Sequence, residues 1–197
     1  MVWDDISGAA PVGRDEPVEL VGTNLRLTGA VSLGRFGRLS DLINASRGYI
    51  RVRDAQLLQR NGEPTSLILA ELMVDQDEIS FIAQPQAQAP EPGVARGFIE
   101  PGFGDDIEAR QAREFVMFTP GHTVTGKVHI FGQTDLAGFV DATDPRFVPV
   151  TGVTTRSLSD RRIVSRYDFI LMNRTQMIAA AETAPRDDLA TPDAPEL

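Results

Sequence analysis

The feature that most constrains this chain is an internal repeat. When Gly29 is set against Gly126, five stretches agree in order and at a nearly constant offset. The aligned stretches are 18–21 with 115–118, 27–33 with 124–130, 39–45 with 136–142, 49–52 with 147–150 and 72–74 with 170–172. The chain is therefore one small unit written twice, at residues 18–83 and 115–182.

Each copy has the pattern of a small β domain. Apolar and polar residues alternate over 25–33 and 122–130, which is typical of a half-buried strand. Three further strands are predicted over 49–58, 66–74 and 78–83, with one or two helical turns over 38–44. The sequence predicts a mainly β protein of two tandem small β-barrels, Sm-like or SH3-like, with about five strands each, a short helix and extended arms.

The repeats divide the chain into five segments: an extended N-terminal arm (1–17), the first barrel (18–83), a linker (84–114), the second barrel (115–182) and an extended acidic tail (183–197). Proline and glycine are frequent in 84–104, which is typical of a linker. Asp105 and Glu108 have the spacing of a helix-capping box. This spacing predicts a short helix that runs to Glu114.

Charge separates the repeats from the segments around them. The net charge is −9, and the two repeats together are neutral, so the acidic surplus lies in the arm, the linker and the tail. Domains without a basic surface do not attract a phosphate backbone. We therefore expect no nucleic-acid partner.

Few residues are suited to chemistry. The chain has no cysteine and two histidines, His122 and His129. Their spacing, without a nearby group of carboxylates, is weak support for a metal site. We assign no catalytic, cofactor-binding or metal-binding residue, and we expect a protein that is not an enzyme. No stretch of 18 apolar residues is present, so we expect no direct membrane span and a cytoplasmic location.

Two local patterns define candidate residues in the first copy. Arg38 and Asp41 are three residues apart, the spacing of a helical ion pair, and we interpret them as a structural pair. The stretches 29–31, 38–44 and 49–55 resemble the signature of an uncharacterised bacterial family of small β domains: Gly-x-Val, Arg-Leu-Ser-Asp-x-x-Asn and Phe-Ile-x-Val-x-Asp-Ala. The resemblance implies a fold and no activity. The second copy departs from it at 135–138, where Asp-Leu-Ala-Gly replaces Arg-Leu-Ser-Asp.

Trp3 and Ile6 are candidate partner-binding residues, because tryptophan is enriched in interfaces and this one lies outside both repeats. The favoured function is a non-catalytic accessory or scaffold subunit whose barrels and arms staple neighbouring protein subunits of a larger complex. The expected setting is the cytoplasmic face of a membrane-embedded complex, photosynthetic or respiratory, to which the chain would be peripheral.

The alternative function is a sensor of a small anion or a nucleotide-type ligand. It rests on the Arg-x-x-x-Arg spacing of Arg47 with Arg51 and of Arg162 with Arg166. Arginines that converge in a pocket would favour the sensor, and an apolar groove would favour the scaffold subunit.

Overall fold

The computed structural model describes residues 14–59, 61–85, 110–131, 134–142 and 144–183. Within these ranges, ten antiparallel strands form one sheet, with two short helices and two single 3₁₀ turns at 76–78 and 174–176. The first copy contains β1 (Asp15–Gly22), β2 (Arg26–Ser32), α1 (Leu39–Ala45), β3 (Tyr49–Leu58), β4 (Pro64–Asp75) and β5 (Ile79–Ala83). The second contains β6 (Arg110–Phe118), β7 (His122–Phe131), α2 (Leu136–Asp141), β8 (Phe147–Ser157), β9 (Val164–Asn173) and β10 (Ala179–Glu182).

The order of the strands within the sheet is the same in both copies. The sheet runs β10-β6-β7-β8-β9-β5-β1-β2-β3-β4, so each copy contributes the same sequence of strands: fifth, first, second, third, fourth. The mainly β fold and the helical turn over 38–44 are confirmed. The predicted helix up to Glu114 is wrong, because residues 110–114 are the beginning of β6. The pairing of these residues with β7 decides their conformation.

The prediction of two separate closed barrels is not confirmed. Within the described ranges, neither copy pairs its own fourth strand with its own fifth strand. Instead β5 of the first copy pairs with β9 of the second, with Phe81 opposite Met172 and Ala83 opposite Ile170. The two copies are therefore continuous parts of one sheet, which ends at β10 on one side and at β4 on the other.

The anchor glycines lie where the second and third strands of each copy, which are paired side by side, approach too closely for a side chain. A Cβ added to Gly29 would lie 2.5 Å from Val52 Cγ1, and one added to Gly126 would lie 2.7 Å from Val150 Cγ1. In both copies the register of the second and third strands shifts at this glycine. The equivalence of Gly29 with Gly126 and of Val52 with Val150, read from the sequence, therefore holds in space.

Candidate functional site

The first candidate is the junction of the two copies, where β5 and β9 are buried on both faces. Ile82 and Leu171 pack into the core of the first copy, whereas Phe81 and Met172 pack into the core of the second. All five residues of β5 and the last five of β9 are buried. The copies thus share side chains between two cores, and neither core is complete without the other copy.

Polar side chains cross this junction in fixed geometry. Asn173 is fully buried, and its amide donates to the carbonyl oxygens of Gln76 at 3.0 Å and Ile79 at 2.7 Å. On the other side, the Asn44 amide donates to the carbonyl of Phe147 at 2.9 Å and its oxygen accepts from the Phe147 N–H at 2.8 Å. Each asparagine forms hydrogen bonds with backbone groups of the opposite copy. Buried backbone groups need such partners, because they cannot bind water.

An ionic cluster lies in the same junction. Arg26 on β2 donates through Nε to Glu19 Oε1 at 2.7 Å, and the Tyr167 hydroxyl donates to the same oxygen at 3.2 Å. Burial, and secondarily the charge of Glu19, raise the pKa of Tyr167 to about 12. Burial alone lowers the pKa of Arg26, but the charge of Glu19, the phenol and the hydrogen bonds to both raise it overall. The positive charge of the Arg26 guanidinium is therefore already balanced by Glu19.

A shallow cleft beside this cluster is the second candidate site. It has a volume of about 170 Å³ and is lined by residues of both copies: 21–26, Leu58, 120–122, Ser157 and Ser159. Ligand pockets usually measure about 300–1,000 Å³, so the cleft is small for an organic ligand. Its one cation, Arg26, is bound to Glu19.

His122 is the titratable group at the wall of this cleft. Its ring meets Phe81 edge-on, with centroids 5.7 Å apart. Its Nδ1 is buried and has no hydrogen-bond partner among the described residues. Burial, and secondarily the charge of Arg26, lower the pKa of His122 below its ordinary value. The histidine is therefore neutral near pH 7 and cannot add a positive charge for an anion.

The arginines of the sensor hypothesis do not surround this cleft. Arg51 lies on β3 and Arg166 on β9, which are separated in the sheet by β5, β1 and β2. Both are exposed, and Arg51 lies 3.5 Å from Glu71. Arg47 and Arg162 are also exposed. No group of three or more histidine, aspartate or glutamate residues in the described ranges is arranged to hold a metal ion.

The structure places the other predicted residues as follows. Arg38 immediately precedes α1 and is half-buried, and Asp41 is exposed in the first helical turn. The ion pairs seen between described residues join other side chains, so the Arg38–Asp41 pair stays a prediction. Trp3, Ile6 and nearly all of the arm, together with 86–109 and 184–197, lie outside the described residues. No helix in the described part of the chain is long and apolar enough to cross a bilayer.

The third candidate is a pair of surfaces at the two ends of the sheet. We define the β4 edge by Tyr49, Leu67, Ile68 and Met73, and the β10 edge by Phe118, Val140 and Ile178. These side chains are 37–68% exposed. They make up most of the exposed large apolar side chains in the described residues, and large apolar surfaces of this kind mark interaction sites.

Sequence reasoning missed both the junction and the edges. It treated the copies as separate barrels, so Asn44 and Asn173 had no assigned role across them. One signal was present: Asn173 falls opposite Asp75 when the copies are aligned, and that change from acid to amide adds the two N–H donors used at the junction.

Comparisons with known proteins find no counterpart: no protein-family model, no curated protein and no solved structure matches this chain. The resemblance to a bacterial family of small β domains therefore stays a prediction.

Proposed function

We propose that this protein is a non-catalytic scaffold subunit that holds neighbouring protein subunits through the two ends of its sheet. The proposal keeps the predicted accessory role, in which barrels and arms both hold neighbouring subunits, and places the binding surfaces that it argues for on the folded part. A location at the face of a membrane-embedded complex also belongs to this proposal.

One contrast between equivalent positions supports this function. Leu171 in β9 and Met73 in β4 occupy the same position of the repeat, yet Leu171 is fully buried and Met73 is 49% exposed. The difference is the neighbouring strand, because β9 is covered by β5 whereas β4 ends the sheet. An apolar residue at an open strand edge is a site for strand addition by another chain.

The surfaces fit protein partners better than small molecules. An apolar strip along an unpaired strand offers backbone hydrogen bonds and side-chain contact along its length. The cleft, by contrast, is small and its arginine is already paired with Glu19. A protein strand is therefore the better partner.

The test uses the full chain, tagged and produced in its natural host. Native extracts are separated by size, and the mass of each tagged species is measured. We expect wild type in species well above 21.5 kDa, and we expect Met73→Glu and Phe118→Glu to shift toward free chain with unchanged thermal stability.

Leu158→Glu is the matched control, because Leu158 is 47% exposed and lies away from both edges. It should behave as wild type. A wild-type chain that is always free, or edge variants that assemble as well as the control, would overturn the proposed function.

A further inference from the structure

The two open edges of this chain are the two halves of a junction that the chain already contains. Inside the molecule, a fifth strand (β5) pairs with a fourth strand (β9). Among the described residues, the strands at the two ends of the sheet are a fourth strand (β4) and a fifth strand (β10), each paired on one side. We propose that β4 of one chain pairs with β10 of a second copy, so that the internal junction is repeated head to tail between chains. This inference rests on the proposed function and names the partner.

The register of the new pairing follows from the internal one. Inside the chain, Ile82 lies opposite Leu171, with one further pair on each side. The repeat places Ala180 at the position of Ile82, and Met73 at that of Leu171. Met73 of one copy should therefore lie opposite Ala180 of the next. The flanking pairs are Val74 with Ala179 and Leu72 with Ala181.

Backbone N–H groups of β10 that point away from β6 face the side on which the proposed partner strand would lie. Thr183 N–H donates to the Glu114 carbonyl at 2.9 Å, and alternate residues of an antiparallel strand donate to the same side. The N–H group of Ala181 therefore points toward β6, and that of Ala180 points outward, toward the incoming strand. The alternation applies within β10, because Ile178, just before this strand, also donates toward β6, to the Phe118 carbonyl at 2.8 Å.

Side chains at the edges match the needs of the neighbouring core. Ala180 packs on the second core, as Ile82 packs on the first, and Met73 of the next copy would lie beside it in the role of Leu171. Phe118 occupies the position of Val21, which is buried at the internal junction, yet Phe118 is 37% exposed. In the internal junction the small Val21 lies opposite the large Phe81, whereas at the β10 end the large Phe118 lies opposite the small Ala179.

The helices extend the match beyond the strands. In the internal junction, α1 contacts β8, Asn44 binds the backbone of Phe147, and Ile43 is buried. The equivalent of Ile43 is Val140, which is 42% exposed, and the equivalent of Phe147 is Tyr49, which is 58% exposed. Tyr49 of one copy would cover Val140 of the next, and both apolar surfaces would leave water.

Two carboxylates limit the length of the new ladder. Glu71 and Glu182 would lie next to each other just past the pair of Leu72 with Ala181. Glu71 already lies against Arg51, and Glu182 is bound by Arg113, whose hydrogen bond lowers the pKa of Glu182. Each charge is thus balanced within its own chain, and the ladder ends where the internal one ends.

A head-to-tail contact of this kind is heterologous, so it does not stop at two copies unless a ring closes. The contact between chains should be weaker than the internal junction, because the latter benefits from the covalent link between the copies. We therefore expect association of the purified chain that increases with concentration and produces species larger than a dimer.

The first experiment is sedimentation of the purified full chain over a range of concentrations. Wild type should form multiples of 21.5 kDa, and Met73→Glu and Ala180→Pro should remain monomeric. Proline at 180 removes the outward N–H without removing a bond to β6, and thermal stability verifies that each variant is folded. Leu158→Glu should associate as wild type does.

The second experiment tests the register through the absence of cysteine. Met73→Cys with Ala180→Cys places two thiols on a cross-strand pair, where the Cα separation of about 5.5 Å suits a disulfide. Oxidation should give a ladder of covalent oligomers. Ile68→Cys with Ala180→Cys is the control, because Ile68 lies further along β4, and it should give far less product.

The results separate this inference from the proposed function. A purified chain that stays monomeric at every concentration overturns head-to-tail pairing, while the scaffold role stands if the edge variants still leave their native complexes. Covalent dimers of Met73→Cys alone would show symmetric β4-to-β4 pairing and would also overturn it.

Discussion

Asn173→Asp is the most direct test of the junction, because it changes hydrogen-bonding capacity at nearly constant shape. The Asn173 amide donates to two carbonyl oxygens of the other copy, at 3.0 and 2.7 Å, in a fully buried site. A carboxylate cannot donate, so both acceptors lose their partner. At about 1–3 kcal/mol for each unsatisfied buried group, the free energy of unfolding should decrease by about 2–6 kcal/mol at pH 7.

The assay is urea unfolding of the full chain at several pH values. For a protein of this size, each kcal/mol corresponds to about 2–4 °C in melting temperature, so a thermal scan should also detect the loss. One oxygen of the new carboxyl would face the two carbonyl oxygens in a fully buried site, while the other would keep the donors of Asn173 Oδ1, which are the Thr175 N–H, the Thr175 hydroxyl and Arg146 Nε. Because burial and the facing carbonyls disfavour the charged form, we expect the pKa of this carboxyl to be raised in the folded state above its unfolded value. A raised folded pKa stabilises at low pH and loses that contribution as pH rises, so the deficit against wild type should shrink on acidification.

The equivalent residue of the first copy supplies the control. Asp75 accepts from the Asp77 N–H at 2.9 Å and lies at the open end of the sheet. Asp75→Asn keeps the acceptor, so its stability should change by less than about 0.5 kcal/mol. Equal stabilities for the two variants, or a deficit of Asn173→Asp that does not respond to pH, would refute this account of the junction.

Three further predictions follow from single sites. Gly126→Ala should destabilise the fold by about 1–3 kcal/mol in urea unfolding, because its Cβ would lie 2.7 Å from Val150 Cγ1, whereas Gly37→Ala should change nothing, since no atom lies within 4 Å. Wild type should lose stability relative to His122→Gln as pH falls from about 7 to 5. The pKa of His122 is lowered in the folded state, so the unfolded state, with a pKa of about 6.5, binds the proton first. Parallel curves of unfolding free energy against pH for the two proteins would contradict this. Asp54, at φ 49°, occupies the position of Gly152, at φ 59°. Because a residue with a Cβ is strained at positive φ, Gly152→Ala should lower the free energy of unfolding by about 1–2 kcal/mol, and Asp54→Gly should leave it unchanged or raise it. Calorimetry measures both variants, and the opposite order of stabilities would be contrary evidence.

The sequence by itself determined the repeat, the strands and their equivalence. These are local properties: alternation of apolar residues selects strands, and a glycine where two paired strands approach closely must recur wherever that close approach recurs. Gly29 and Gly126 were therefore sufficient to align the copies, and α1 was predictable because its residues form a short apolar face between two strands.

Only the tertiary structure decided which strands pair. A fourth strand offers the same hydrogen bonds and the same apolar face to the fifth strand of its own copy and to that of the other copy, so the pattern of one strand cannot select between them. The choice rests on side chains distant in sequence: Asn173 and Asn44 satisfy backbone groups across the junction, and Phe81 and Leu171 each fill the core of the opposite copy. The same pairing leaves β4 and β10 at the ends of the sheet among the described residues. It therefore exposes Met73 on β4 itself and leaves Phe118 on β6 next to the end strand.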